Sequence, residues 1–147
     1  MNLNFLLLLC FFLVNYQDVT PDYVVKYHSV LSKKDELRYI ETYQENKNIN
    51  IQAYVISLQM KQAKYKTFPW SKLSIFNKEK KRLDELIKTH SNNIHLRYVR
   101  LVIQEKTPKI LGYNKKIQED KSFLKIMLKK KDSSDYLDKF IIKNTSL

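Results

Sequence analysis

Gly112 is the only glycine among the chain's 147 residues, and only three prolines accompany it. Tight hairpin turns call for residues that tolerate positive φ, so a chain this poor in glycine has few ways to reverse direction sharply. Apolar residues recur instead at three- and four-residue spacing, and no stretch alternates as a half-buried strand does. These constraints predict an all-α fold of six to seven helices stacked as helical hairpins. Residues 18–147 supply one domain's worth of chain for it.

Thr20-Pro21-Asp22 opens the first helix, with Tyr23, Val24, Tyr27, Val30 and Leu31 behind it at helical spacing. Ser32 with Glu36 marks a second start, and Leu37, Ile40 and Tyr43 continue its face. Residues 49–66 carry two apolar faces, Ile51, Tyr54, Val55, Leu58 and Tyr65 on one and Ala53, Ile56, Met60 and Ala63 nearly opposite. Such a helix belongs between two neighbours. Thr67-Phe68-Pro69-Trp70 is a rigid aromatic loop, after which Ser71 can cap a helix reaching Thr89, with Ile75, Phe76, Leu83, Leu86 and Ile87 inward. Glu79 falls inside that apolar arc. A short last helix over residues 134–143 brings Tyr136, Leu137, Phe140 and Ile141 to close the end of the core.

The most informative stretch is 91–128. A helix capped by Ser91 or Asn92 runs to residue 106, ahead of the stop at Pro108. At about 100° per residue, Ile94, Leu96, Tyr98, Val99, Leu101, Val102 and Ile103 cover more than half its circumference. Arg97, Arg100 and Gln104 fill the remaining stripe, flanked by apolar residues on both sides, which predicts half-buried guanidiniums. A short elbow through Thr107, Pro108 and Gly112 leads to a second helix over residues 113–130, antiparallel to the first. Asp120 sits in the middle of its apolar arc of Ile117, Phe123, Leu124, Met127 and Leu128. An unpaired carboxylate there would be costly, so Arg97 or Arg100 is the expected partner, with Glu79 a second carboxylate able to neutralise either. The bland reading is a structural ion pair that fixes the register of the two helices. The sharper reading is that Arg97, Arg100 and Gln104 line a groove for an anionic ligand or partner.

The net charge of +12 is uneven: −1 over residues 18–60, +6 over 61–88, +8 over 89–131 and −1 over 132–147. This asymmetry suggests an anionic partner such as lipid head groups or a surface glycan, against the plain alternative of lysines on solvated faces. Residues 5–14 (FLLLLCFFLV) form an unbroken apolar run too short to cross a bilayer as a helix. They read as the core of a secretory signal over residues 1–17, cleaved near residues 15–17, although MNLN carries no basic residue. Leu9 stands where a lipoprotein signal needs a small residue before Cys10, so no lipid anchor is expected. Removal of Cys10 would leave no disulfide, thiolate nucleophile or thiolate metal site.

The absence of glycine-rich loops excludes the usual phosphate cradles. His28, His90 and His95 show no ligand spacing, so surface positions are expected of them, with no metal and no cofactor. Asp120 and Glu79 are the only pair suggesting hydrolytic acid–base work, and both are better explained as counter-ions to arginine. Ten tyrosines beside many lysines could stack on single-stranded nucleic acid. Most of them lie on apolar faces, and export argues against such a partner.

Residues 49–89 and 92–131 each pair a two-faced helix with a more one-sided one, offset by about forty residues. Residues 83–97 (LDELIKTHSNNIHLR) resemble the joint between tetratricopeptide repeats, at a spacing longer than the usual 34 or so. Three blocks carry a second resemblance: Leu96-Arg97-x-x-Arg100-x-x-x-Gln104, Pro108-x-x-Leu111-Gly112-Tyr113 and Ile117-x-x-Asp120-Lys121. Together they resemble a signature of small exported helical proteins of Bacteroidota, a family without an assigned function. That resemblance implies export and a helical fold, and no activity. The expectation is therefore an exported, non-enzymatic interaction or adaptor module with a protein partner. Binding of anionic lipid or glycan head groups is the alternative, and a hydrolase comes third.

Overall fold

The computed structural model describes residues 19–147. The apolar run of residues 5–14, Cys10 and the signal expected over residues 1–17 lie outside the described residues. Seven α-helices follow one another: α1 (Asp22–His28), α2 (Lys33–Tyr43), α3 (Ile49–Lys61), α4 (Pro69–Thr89), α5 (Ile94–Lys106), α6 (Ile117–Met127) and α7 (Asp138–Asn144). Short 3-10 turns precede α4, α6 and α7, and there is no strand among the described residues. The fold is all-α, as the glycine-poor, helix-periodic sequence requires.

Helix α3 occupies the centre. Every residue from Ile51 to Leu58 is buried, and α2, α4 and α5 all pack on it. Its two apolar faces are the cause, since a helix greasy on both sides must be covered on both. Helix α5 is second, buried continuously from Ile94 to Leu101 and packed against α3, α4 and α6. The core gathers residues from all seven helices, including Val24, Tyr39, Tyr54, Leu83, Leu96, Leu124 and Ile141. Its buried tyrosines keep their hydroxyls satisfied: Tyr27 with Ser57 Oγ at 2.9 Å, Tyr54 with His95 Nδ1 at 2.7 Å, and Tyr98 on the Phe140 carbonyl at 3.3 Å. An apolar ring with a bonded hydroxyl is what a tyrosine-rich core needs to avoid orphaned polar atoms.

Element ends differ from the sequence reading where local chemistry offered a choice. Ser32 closes a capping box with Asp35, which frees Glu36 to turn inward. Pro69 is already in the first turn of α4, as its fixed φ favours, so Ser71 lies inside the helix and caps nothing. Asn93 caps α5 through the Leu96 amide at 3.0 Å, in place of Ser91 or Asn92. Helix α6 starts at Ile117 instead of Tyr113. Gly112 adopts φ +63, a left-handed turn that ends the preceding 3-10 segment. Tyr113 is thereby swung inward onto Met60 and Phe76. No described helix is long and apolar enough to cross a membrane.

Candidate functional site

Helix α5 presents two unlike sides. On one, Arg97, Arg100 and Gln104 form the stripe expected from their spacing, and α6 brings Asp120 against it. Arg100 clamps Asp120 with two hydrogen bonds of 2.7 Å, from Nε to Oδ2 and from Nη2 to Oδ1. Arg97 Nη1 donates to Oδ1 at 2.9 Å, while its Nε reaches the Ser91 carbonyl at 2.9 Å. Asp120 is completely buried, and Arg97 and Arg100 are nearly so, deeper than half-buried. Glu119, on the outer edge of α6, accepts from both arginines and from Lys116, and Asp84 of α4 lies 3.8 Å from Arg100 Nη1. Burial alone would lower the Arg100 pKa, but the hydrogen bonds and charge of Asp120 outweigh it and raise it. Hydrogen bonds from Lys116 and then Arg97 hold the half-exposed Glu119 carboxyl down at about 2.

Glu79 does not join this cluster. It is buried, but its carboxylate meets Arg82 at 3.4 Å and Lys78 at 3.8 Å. The reason lies in the helix spacing. Arg82, three residues along the same face, reaches Glu79 first and extends to Gln59 and Gln52 of α3. Glu119 takes the role expected of Glu79, and the sequence hid it because it lies at the border of the α6 apolar arc. Gln104 is 2 % exposed, and neither its Nε2 nor its Oε1 has a hydrogen-bond partner among the described residues. A recess of about 530 Å³ lies over this stripe, between the end of α4 and the 112–119 turn. Its floor is the arginine pair already engaged with carboxylates.

The other side of α5 opens onto a larger groove of about 880 Å³. Tyr98, Val102 and Ile103 of α5 form one wall, Leu58 and Met60 of α3 another, and Leu73 and Phe76 of α4 a third. Tyr27 and His28 at the end of α1 close its inner part. Lysines stand at its edge: Lys61 and Lys64 are tied to the buried Glu36 at 2.8 and 3.2 Å, while Lys72 and Lys106 have no ion-pair partner among the described residues. Burial opposes ionisation of Glu36, but hydrogen bonds from Lys61 and Lys64 prevail and keep its pKa below the ordinary value.

Of the three histidines expected at the surface, His90 is exposed, His28 is half-buried and His95 is inside. His95 is 2 % exposed and bridges Tyr54 and Tyr136 hydroxyls at 2.7 and 3.0 Å. His28 stacks on Phe140 with centroids 4.0 Å apart, and its Nε2 is buried without a partner among the described residues. Burial pushes both imidazoles down to about 4, helped at His28 by Lys143 and Lys106, so both are neutral at pH 7. No cluster of three or more His, Cys, Asp or Glu residues placed to hold a metal ion occurs among the described residues. The groove escaped the sequence reading because its walls come from separate elements, each contributing only one edge of an ordinary helical pattern. No protein-family model, curated protein or solved structure matches the chain.

Proposed function

We propose that this chain is a binding module, exported by its N-terminal apolar segment, whose groove takes an anionic amphiphile: an acyl-like body with a carboxylate or phosphate head. The observation that carries this reading is the 880 Å³ groove with an apolar lining and the unpaired Lys72 and Lys106 at its edge. Its volume lies within the roughly 300–1,000 Å³ of small-molecule sites. Apolar walls gain by covering a hydrocarbon chain, and lysine ammonium groups at the rim leave an anionic head half in water. Such binding requires no reacting group: Asp120 and Glu79 lie elsewhere, and Glu36, behind the groove edge, is held by Lys61 and Lys64. An adaptor role remains within this reading, because a guest that fills the groove also changes the surface shown to a protein partner.

The test is titration of the full chain with dodecanoate below its micelle concentration, beside dodecanol. Saturable one-to-one binding of dodecanoate is expected, with dodecanol bound at least about fivefold more weakly for want of a charge. Lys72→Ala with Lys106→Ala should erase that preference, and Ala63→Phe with Val102→Phe should block both ligands. Binding that survives the filled groove, or no binding of either ligand, overturns the proposal. Retention of an acidic protein that dodecanoate does not displace would place a protein in the groove instead.

A further inference from the structure

Around the mouth of this groove the molecule exposes apolar side chains that the fold gives no partner. Phe68 and Trp70 flank Pro69 at the start of α4, stacked on each other at 4.7 Å with planes 12° apart, and Trp70 is 67 % exposed. Leu73 follows one turn later, about half exposed. Ile110 and Leu111 project from the α5–α6 connection, Ile110 at 92 %. These two segments are some forty residues apart in sequence. They meet because Pro69, Leu73, Pro108 and Leu111 line one groove.

The charge around this collar has one sign. Residues 62–78 contain no carboxylate, and neither do residues 106–118. Lys66, Lys72, Lys106 and Lys109 lie among the exposed rings and aliphatic chains, and none has an ion-pair partner among the described residues. A water-facing patch of indole, phenyl, isoleucine and leucine bordered only by lysine is adverse for a free surface. It is the composition that an anionic bilayer interface accepts, rings at head-group depth and ammonium groups on the lipid phosphates.

We infer that the groove mouth is a membrane-docking surface, which seats the protein on an anionic bilayer with Phe68, Trp70 and Ile110 in the head-group layer. In that pose the groove opens towards the lipid, so an amphiphile could pass into it without crossing water. This last step rests on the groove binding proposed above, whereas docking itself does not. The occupant is a lipid surface and not a second copy, because residues 62–78 and 106–118 carry lysines and no carboxylate to match a basic copy, and Glu36, which holds Lys61 and Lys64, is buried. A bilayer also accepts exposed isoleucine and tryptophan together without requiring a shaped counterpart.

Trp70 is the only tryptophan of the chain, so its fluorescence reports on the collar alone. The full chain should sediment with phosphatidylcholine vesicles containing about a third phosphatidylglycerol and not with phosphatidylcholine alone. Trp70 emission should shift to the blue and be quenched by a spin label near the head groups. Raising the salt from about 0.1 to 0.5 M should weaken binding at least tenfold. Ile110→Ser with Lys66→Glu and Lys109→Glu, all exposed positions outside the groove lining, should lose at least tenfold in vesicle binding with an unchanged circular dichroism spectrum. The same variant should still bind dodecanoate in free solution, and Ala63→Phe with Val102→Phe should still dock on vesicles. The failure of either proposal is thereby visible without the other. Vesicle binding with no change at Trp70, or equal binding to neutral and anionic vesicles, overturns the inference. A blue shift that grows with protein concentration in the absence of lipid would assign the collar to a second copy instead.

Discussion

The two sides of α5 invert the usual economy of a protein surface. On the side facing α6, two guanidiniums and two carboxylates are gathered with Asp120 sealed from water. On the side facing α1 and α4, apolar surface is left open. A chain selected only for stability would do the reverse, because apolar burial stabilises and ion burial rarely does. The arginines are already engaged with carboxylates, and the recess above has that bonded pair as its floor. The open apolar wall has no partner in the fold. The difference is why we propose recognition at the groove and a structural role for the arginine stripe, while Arg97, Arg100 and Gln104 still line a recess where the sharper expectation raised by the sequence can be tested.

The largest effect that can break this assignment is expected at Asp120. Its removal in Asp120→Ala leaves two buried guanidiniums with only the half-exposed Glu119 and the more distant Asp84, and should cost about 3–5 kcal/mol. That is a large part of a small domain's stability and is readable as a lowered denaturation midpoint. Lys125→Ala, on the exposed side of the same helix, should stay within about 0.5 kcal/mol. If Asp120→Ala kept its stability and lost dodecanoate binding, the assignment of the two sides would have to be exchanged.

Acid separates the same two sides by their chemistry. His28 and His95 have folded pKa values near 4, below the unfolded value of about 6.5, so the unfolded chain binds more protons between these limits. Their contribution is complete above pH 6.5 or so and is lost as the pH falls towards about 4, at up to roughly 1.4 kcal/mol per pH unit for each histidine. Glu119, held near 2, sheds its own contribution only below the ordinary carboxylate range. Between about pH 6.5 and 5, then, destabilisation should come from the histidine-lined interior and not from the arginine cluster. His95→Gln keeps a donor and an acceptor for the two tyrosines and should remove about half of the slope. An unchanged slope in both His95→Gln and His28→Gln would mean that neither imidazole is held neutral by burial.

Sequence alone made one of these sides legible and not the other, for a geometric reason. Asp120 in the middle of an apolar arc and arginines three residues apart on a greasy helix are local patterns, and a short connection leaves them few other places to meet. Glu79 carried the same local signal, but another arginine on its own helix face took it. The α6 start was misread because Tyr113 continues the helical periodicity, while its ring is drawn out of register by the left-handed Gly112 and by a 2.9 Å hydrogen bond to Asp84. The groove had no such signal. Its lining comes from α1, α3, α4, α5, α7 and the turns between them, and a concavity is a property of how helices fail to meet. Only the aromatic pair beside Pro69 stood out in the sequence, and it marks the mouth.

The smallest effect sharpens the comparison most, because it concerns the one residue of the arginine stripe that the cluster leaves unbonded. Gln104 has a buried amide whose donor and acceptor both lack a partner among the described residues. A buried polar group in that condition costs on the order of 1–3 kcal/mol, partly offset by the packing of its aliphatic stem. Methionine has nearly the same length and shape and carries no such group. If the recess over α5 is only the outer skin of a structural ion pair, Gln104→Met should stabilise the protein by about 1 kcal/mol and leave ligand binding unchanged. The measurement is a denaturation midpoint at pH 7, with the m value held constant to show that the unfolded reference is the same. A loss of stability of similar size would mean that solvent in the recess bonds the amide, and that the arginine side is open after all. Arg97 and Arg100 would then return as candidates for an anionic ligand, and the contrast between the two sides of α5 would be one of degree.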